Sequence, residues 1–162
     1  MKVLAGSDHL GLELKRAILA HLQPGPHDVR DLGCFDDDPV DYPDVALEVA
    51  SGVATGGAER GILVCGTGIG MAIAANKVPG IRAASVGDPY SAERAMRSNN
   101  AQILCLGARV TGESVALMLI DLWLEAEFGH GRSARKVAKI NAIDSSSGKS
   151  TAESLPISNE GC

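Results

Sequence analysis

Residues 61–70, GILVCGTGIG, decide the fold, because a wholly apolar run leads directly into alternate glycines. A short strand without polar positions is typical of a parallel sheet that is covered on both faces. The glycines predict a tight turn, and residues 71–77 after them are predicted to be helical. A strand, a turn and a helix in this order form the repeating unit of α/β proteins.

The same alternation of apolar runs and helical patterns extends over most of the chain. Further strands are predicted at residues 2–7, 28–32, 81–86 and 103–106. A helix is predicted where Leu10, Leu14, Ile18 and Leu22 recur at helical spacing. The remaining helices are predicted to begin after Asp41, after Asp88, after Thr111 and near residue 133, and the last to end near residue 143. This order predicts a doubly wound α/β fold with five parallel strands.

Length and composition limit the classes of protein to which the chain can belong. For 162 residues we expect one domain, over residues 1–144, and a flexible Ser-rich tail over residues 145–162. There are 15 Lys and Arg against 20 Asp and Glu, with 3% aromatic residues, which argues against nucleic-acid binding. No apolar run is long enough to span a membrane and no signal peptide is evident, so a cytoplasmic protein without membrane contact is predicted.

The cysteines are spread along the chain, at Cys34, Cys65, Cys105 and Cys162. None of them forms a C-x-x-C pair or lies at zinc-ligand spacing with a histidine, so no metal site is predicted. Free thiols in a reducing compartment are the simplest interpretation.

Ligands of doubly wound α/β proteins bind at the carboxyl ends of the strands. The strongest candidate there is the loop at residues 65–70, whose glycines allow backbone N–H groups to converge on an anion. Cys65 would then be a base or nucleophile beside an oxyanion stabiliser. The alternative is a buried cysteine that ends a core strand. A dinucleotide-binding loop is disfavoured, because the spacing is G-x-G-x-G and the loop follows the third strand.

Asp8 and His9 follow the first predicted strand and are expected at the same edge of the sheet. They could carry out acid–base chemistry or hold a phosphate, and Asp8 could equally be the N-cap of the first helix. Cationic residues late in the chain suit a small phosphorylated ligand in an otherwise acidic protein; they are Arg109, Arg132, Arg135 and Lys136.

Together these segments resemble the ribose-5-phosphate isomerase B family, which includes the galactose-6-phosphate isomerase subunits. The matching segments, in family order, are GSDHLGLELK (6–15), DYPD (41–44), ILVCGTGIGMAIAANKVPGIRAA (62–84), YSAERA (90–95), NNAQ (99–102), GAR (107–109) and GR (131–132). The resemblance implies a Rossmann-like three-layer α/β/α sandwich, in a homodimer or tetramer with active sites at the subunit interface. It also implies aldose–ketose isomerisation of a sugar phosphate through a cis-enediolate, with no metal and no cofactor.

The resemblance further implies a role for each matching residue. Cys65 would move a proton between C1 and C2 of the sugar, and Thr67 would relay protons between the sugar oxygens. Backbone amides of the loop would stabilise the enediolate; they include those of Gly66, Gly68, Ile69 and Gly70. The other implied contacts are with the sugar hydroxyls, from Asp8, Tyr42 and Asn99, and with the phosphate, from His9, Arg109, Arg132 and Lys136.

Two positions depart from the family pattern. Where this chain has Lys136 the family has an arginine, and lysine keeps the charge but loses the bidentate fork. Where it has Ser98, many members that act on pentose phosphates have a histidine credited with opening the furanose ring. Serine alone is a poor general acid. Either Asp8 would relay the ring opening, or the substrate would open by itself or have no ring.

Three functions remain open from the sequence. Isomerisation of ribose 5-phosphate to ribulose 5-phosphate is the family default. A tetrose 4-phosphate cannot close a furanose, and some relatives with serine at this position resemble erythrulose-4-phosphate isomerases. Those relatives tend to lack the histidine of the first loop, whereas His9 is present here. The third possibility is a non-catalytic subunit of a hetero-oligomeric isomerase, which the intact set of Asp8, Cys65 and Thr67 disfavours.

Overall fold

A computed structural model describes residues 1–129 and 131–147 of the chain. Its strands are β1 (Lys2–Ser7), β2 (Asp28–Asp31), β3 (Arg60–Cys65), β4 (Ala83–Ser85) and β5 (Ile103–Gly107). Its helices are α1 (Leu12–Leu22), α2 (Tyr42–Ala54), α3 (Ile69–Ala75), α4 (Pro89–Arg97), α5 (Glu113–Glu125) and α6 (Ala134–Ser147). One 3-10 turn, His9–Gly11, precedes α1.

The strands form one parallel sheet in the order β2-β1-β3-β5-β4. The central strand β3 is buried at every position, as its apolar sequence predicts. Helices α1, α4 and α5 pack on one face of the sheet, and α2 and α3 pack on the other. The predicted three-layer α/β/α sandwich with a five-stranded parallel sheet is therefore confirmed.

Alternate residues of β3 enter different cores, as expected for a strand covered on both faces. Ile62 and Val64 face the α1–α5 layer, whereas Leu63 and Cys65 face the α2–α3 layer. Burying a side chain of this size contributes about 1.5–3 kcal/mol. A slip of one residue would exchange the two sets, so packing also determines which side of the sheet Cys65 faces.

Several element boundaries differ from the sequence prediction for local reasons. Strand β4 begins after residue 81, because the N–H of Arg82 donates to Oε1 of Gln102 (2.9 Å) and not to a neighbouring strand. The N-cap of α5 is Gly112, not the predicted Thr111. The predicted cap Asp88 is confirmed, since its Oδ1 accepts a hydrogen bond from the N–H of Ser91 (2.8 Å). Hydrogen bonding from the Ser91 side chain and from its backbone N–H lowers the pKa of the Asp88 carboxyl.

The last helix, α6, continues to Ser147, past the predicted domain boundary at residue 144. The rest of the predicted tail, residues 148–162, lies outside the described residues. Among the residues that the structure describes, no helix is long and apolar enough to cross a membrane.

Connections leave β1 and β3 in opposite directions along the sheet. From β1 the chain passes to β2 at one end, whereas β4 and β5, which follow β3, lie at the other. Such a reversal opens a crevice outside the carboxyl ends of the two strands, where ligands bind in this class of fold. Asp8 directly follows β1 and Cys65 ends β3, so both lie at the mouth of that crevice.

Candidate active site

Asp8 is held at the mouth of the crevice by its own local bonds. Its N–H donates to the carbonyl of Val64 (3.2 Å), which joins the end of β1 to β3. Its carboxylate Oδ1 accepts a hydrogen bond from the N–H of Gly11 (2.9 Å), and the residue is 5% exposed. Asp8 is therefore an N-cap, one of the two roles the sequence allowed, and the cap fixes its carboxylate beside the crevice.

The thiol of Cys65 lies inside the loop that follows β3. Cys65 is 5% exposed, and its Sγ accepts a hydrogen bond from the N–H of Gly68 (3.1 Å). The hydroxyl of Thr67 accepts a hydrogen bond from the N–H of Ile69 (3.4 Å), and Thr67 is exposed. The loop thus combines a buried thiol with a backbone N–H that bonds to its sulfur.

A second thiol, Cys105, lies on the neighbouring strand and on the same face of the sheet as Cys65. Burial raises the pKa of the Cys105 thiol well above its usual range, and the charge of Cys65 adds to the effect. Cys105 therefore keeps its proton at neutral pH. Of these two thiols, only Cys65 has a backbone donor at its sulfur in the described part of the chain.

Gly68 shapes this loop, and we expect Gly68→Ala to lower kcat/KM by about 100-fold or more. Its φ is +78°, and a Cβ there would lie 2.9 Å from Oγ of Ser85 and 3.0 Å from the carbonyl carbon of Leu106. An alanine must push the loop away from β5, which moves the N–H that reaches Cys65. The measurement is steady-state kinetics on folded protein.

Gly87→Ala is the matched control for this variant, because a Cβ at Gly87 meets nothing within 4 Å. It follows β4 at the same edge of the sheet and is expected to keep wild-type kinetics. Equal activity of the Gly68→Ala and Gly87→Ala proteins would show that the loop geometry is not needed for turnover.

Three further predicted residues lie at the carboxyl edge of the sheet, and two of them border the loop. The ring of Tyr42, at the start of α2, lies so close to Gly70 that a Cβ there would be 2.8 Å from its Cε2 and Cζ atoms. The N–H of Arg109 donates to the carbonyl of Gly66 (3.0 Å), and its side chain is exposed. His9 is half-buried, and its Nδ1 is buried without a hydrogen-bond partner among the described residues. We call this set the carboxyl-edge cluster: Asp8, His9, Tyr42, residues 65–70 and Arg109.

Ser98 and Asn99 lie at the opposite edge of the sheet. Ser98 is the C-cap of α4, and the turn after it leads back to the start of β5. There the carbonyl of Gln102 accepts a hydrogen bond from the N–H of Gly61 (2.9 Å), near the start of β3. At about 3.3 Å per residue, Gly61 and Cys65 are about 13 Å apart along the strand. Within one chain, Ser98 is therefore not brought to Cys65.

Arg132 and Lys136 belong to the same edge as Ser98. The N–H of Gly129 donates to the carbonyl of Arg97 (3.1 Å), which ties the segment before Arg132 to the end of α4. A surface groove is lined by Gly131, Arg132, Ser133, Arg135 and Lys136. We call the predicted residues at this edge the amino-edge cluster: Ser98, Asn99, Arg132 and Lys136.

A buried cation near the crevice was missed by the sequence analysis. Lys15 is fully buried in α1 and forms an ion pair with Asp31 (2.6 Å). Its Nζ also donates to the carbonyl of Cys34 (2.5 Å), and Cys34 pairs through its backbone with Ser7, directly before Asp8. The sequence did contain an indication of this: Lys15 lies three residues before Ile18, so helical spacing places its charge on the apolar face of α1.

No group of three or more His, Cys, Asp or Glu side chains is arranged as a metal site in residues 1–129 and 131–147. The free thiols within this part of the chain are Cys34, Cys65 and Cys105, all buried. Cys162 lies outside the described residues.

Comparisons with known proteins agree with the resemblance noted in the sequence. The chain is 48% identical over 144 residues to Ribose-5-P isomerase B of Listeria innocua, covering 89% of this chain and 97% of the relative. It is 49% identical over 143 residues to D-erythrulose-4-phosphate isomerase of Pectobacterium atrosepticum, covering 86% and 93%. The structure of Clostridium thermocellum Ribose-5-Phosphate Isomerase B matches with a TM-score of 0.89 at 48% identity, covering 91% of this chain and 99% of that one.

Both clusters of predicted site residues lie inside the region that defines the family. The family model described as Ribose/Galactose Isomerase matches residues 3–140, from β1 into α6. The match therefore includes the crevice, the loop at residues 65–70 and the amino-edge cluster. On this evidence the chain belongs to the Ribose/Galactose Isomerase family.

Proposed function

We propose that the chain interconverts ribose 5-phosphate and ribulose 5-phosphate through a cis-enediolate. As a member of its family the chain is an aldose–ketose isomerase of a sugar phosphate. The observation that carries the mechanism is the hydrogen bond from the N–H of Gly68 to Sγ of Cys65 (3.1 Å), beside Asp8 in the crevice. Support for a pentose phosphate comes from the relatives of Listeria innocua and Clostridium thermocellum and from the presence of His9.

In the proposed reaction the thiolate of Cys65 removes the proton from C2 of the open-chain aldose. The C–H electron pair becomes the C1–C2 double bond, and the carbonyl pair moves to O1. Thr67 then relays the proton of the O2 hydroxyl to O1. Collapse of O2 to a carbonyl returns the electron pair to C1, which takes the proton back from Cys65.

The loop amides and Asp8 stabilise the charge that this reaction moves. Negative charge develops first on O1 and then on O2, within reach of donors from the loop at residues 66–70. Donors that are already oriented cost no reorganisation at the moment of reaction, which is why they contribute strongly. Asp8, held by its bond to Gly11, accepts hydrogen bonds from sugar hydroxyls.

The phosphate contacts of the proposed site come from two chains. Cys65 and the amino-edge cluster lie at opposite ends of the strands, so one substrate molecule cannot contact both clusters of the same chain. A second copy that presents its amino-edge cluster to the crevice supplies Ser98, Asn99, Arg132 and Lys136. Arg109 and His9 complete the anion site from the first copy.

Ser98 favours a second candidate substrate, a tetrose 4-phosphate. Its O4 is esterified, so it forms no furanose and requires no ring-opening acid at position 98. The D-erythrulose-4-phosphate isomerase of Pectobacterium atrosepticum is as similar to this chain as the Listeria relative, at 49% against 48% identity. Overall similarity therefore does not discriminate between the two substrates, and the chemistry at Ser98 must.

The discriminating experiment is Ser98→His, assayed on ribose 5-phosphate and on erythrose 4-phosphate. If the wild type is limited by ring opening, a histidine raises kcat on ribose 5-phosphate, since general acid–base help is typically about 10²–10⁴-fold. On erythrose 4-phosphate no gain is expected, because no ring has to open. Ser98→Ala is the control that removes the hydroxyl without adding an imidazole.

Each substrate assignment has an outcome that contradicts it. Fast wild-type turnover of ribose 5-phosphate that Ser98→His fails to improve would show that another group, most directly Asp8, opens the ring, and would remove the argument for a tetrose. Fast turnover of erythrose 4-phosphate, with ribose 5-phosphate rescued only by Ser98→His, would overturn the pentose proposal. Turnover of neither sugar by the purified chain would indicate a non-catalytic subunit.

A further inference from the structure

We propose that Arg82 is the positioning residue of the amino-edge cluster, joining the turn that carries Ser98 and Asn99 to the helix that carries Lys136. The inference rests on the proposed function, because it assigns substrate contacts to that cluster. Arg82 directly precedes β4 and is half-buried at the amino edge of the sheet. The sequence analysis gave it no role, and it belongs to neither cluster.

Arg82 binds the turn after α4 through two of its nitrogens. Its Nε donates to the carbonyl of Asn100 (2.9 Å), and its backbone N–H donates to Oε1 of Gln102 (2.9 Å). Asn100 has a φ of +49°, a conformation that few residues other than glycine adopt readily. The bond from Arg82 satisfies the carbonyl of this unusual residue and fixes the direction in which the chain leaves Ser98.

The same side chain also reaches α6. Its Nη1 donates to Oδ1 of Asn141 (2.7 Å) and to the carbonyl of Gly80 (3.2 Å). The N–H of Gly80 in turn donates to Oδ2 of Asp144 (2.8 Å), one helical turn further along α6. Two side chains of α6 are therefore held by the loop that contains Arg82.

An arginine suits this position because its donors diverge in a fixed plane. Nε and Nη1 are separate donor atoms that reach two different elements at once, whereas a lysine would have to reach both from one nitrogen. Burial lowers the pKa of the Arg82 guanidinium, and the charge of Asp144 opposes that shift. The guanidinium remains protonated at neutral pH, so these bonds persist throughout the range in which an isomerase is assayed.

Loss of the Arg82 side chain removes its bonds to Asn100 and Asn141, and leaves Gly80, which bonds Gln102 and Asp144, to hold the turn and α6 together. Lys136 lies on the same helix as Asn141, and a helix transmits a shift at one turn to the next. The link between Gly129 and Arg97 ties only the segment before Arg132 to α4. Displacements near 1 Å in a positioned group are enough to reduce catalysis strongly.

The first test is Arg82→Gln, with Asn141→Ala as a milder variant that removes the hydrogen bond between Arg82 and α6. For both we expect a higher KM for the sugar phosphate and weaker inhibition by inorganic phosphate, by about 10-fold to 100-fold for Arg82→Gln. We expect kcat to change less. Arg16→Gln is the control: this exposed arginine binds Glu13 and the carbonyl of Phe35, beside β2 and at the other end of the strand order from β4, and its loss should leave KM and phosphate inhibition unchanged.

A double-mutant cycle separates positioning from general destabilisation. If Arg82 acts through Lys136, Arg82→Gln combined with Lys136→Ala raises KM little beyond Lys136→Ala alone. Additive effects, or an unchanged KM in Arg82→Gln, would overturn the inference. Should Arg82→Gln fail to fold, a double-mutant cycle of Asn141→Ala with Lys136→Ala tests the same coupling.

The inference and the proposed function can fail separately. If the wild type turned over no sugar phosphate, the proposed function would be wrong. The role of Arg82 could still be tested by measuring the Kd for inorganic phosphate by calorimetry on the wild type, the two single variants and the double variant. If the wild type were active and the Kd of Arg82→Gln matched that of the wild type, Arg82 would have no positioning role.

Discussion

Replacing Cys65 with alanine is expected to reduce kcat by about 10²–10⁴-fold or more, while inorganic phosphate still binds. Cys65 supplies a titratable thiol, whose sulfur accepts a hydrogen bond from the N–H of Gly68. Without it no group on the loop can take the proton from C2. The measurements are kcat and the exchange of the sugar proton with deuterated water. Both should fall together, because an enediolate mechanism exchanges that proton.

The matched control is Cys34→Ala. Cys34 is as buried as Cys65, at 5% exposed, but its Sγ donates to the carbonyl of Asp36 (2.7 Å) outside the loop. We expect this variant to lose some stability and to keep its turnover. A Cys65→Ala protein that retained more than a small fraction of wild-type kcat would require a different base, and retention of kcat without solvent exchange would require a hydride shift.

Mixing two inactive variants, Cys65→Ala and Arg132→Ala, is expected to restore activity. In the proposed two-chain site, a hybrid dimer contains one site with both clusters intact and one site with both damaged. Random exchange then recovers about a quarter of the wild-type activity, because about half of the dimers are hybrids and half of their sites are complete. The measurement is kcat per subunit after unfolding and refolding the mixture.

Two controls make this result specific. Cys65→Ala mixed with Gly68→Ala should remain inactive, since both changes damage the carboxyl-edge cluster. Subunit exchange is verified with an affinity tag on one variant. Absence of recovery after verified exchange would mean that Arg132 serves the crevice of its own chain, and the two-chain site would be abandoned.

The fold was predictable because its signals are local. The apolar run before residue 66 and the alternate glycines after it indicate a covered strand and a turn by short-range physics. The cap at Asp88 was equally local and was confirmed by its bond to Ser91. Boundaries were predicted less well where a distant side chain intervenes, as Gln102 does at the start of β4.

The carboxyl-edge cluster was predictable for a related reason. In a parallel sheet, residues that follow strands meet at one edge, so the positions of Asp8 and Cys65 follow from the order of elements. The burial of Lys15 was not predictable in this way. It depends on Asp31 and on the carbonyl of Cys34, and both reach Lys15 only when β2 lies beside β1.

The sequence by itself determined the class of fold, the family and the chemical character of the loop around Cys65, because these depend on patterns within a few residues. Only the tertiary structure decided that Ser98 and Arg132 lie at the opposite edge from Cys65, since that depends on the direction in which α4 returns along the sheet. It also decided that Arg82 joins the turn after α4 to helix α6, because residues 82, 100 and 141 meet through packing that no local pattern encodes.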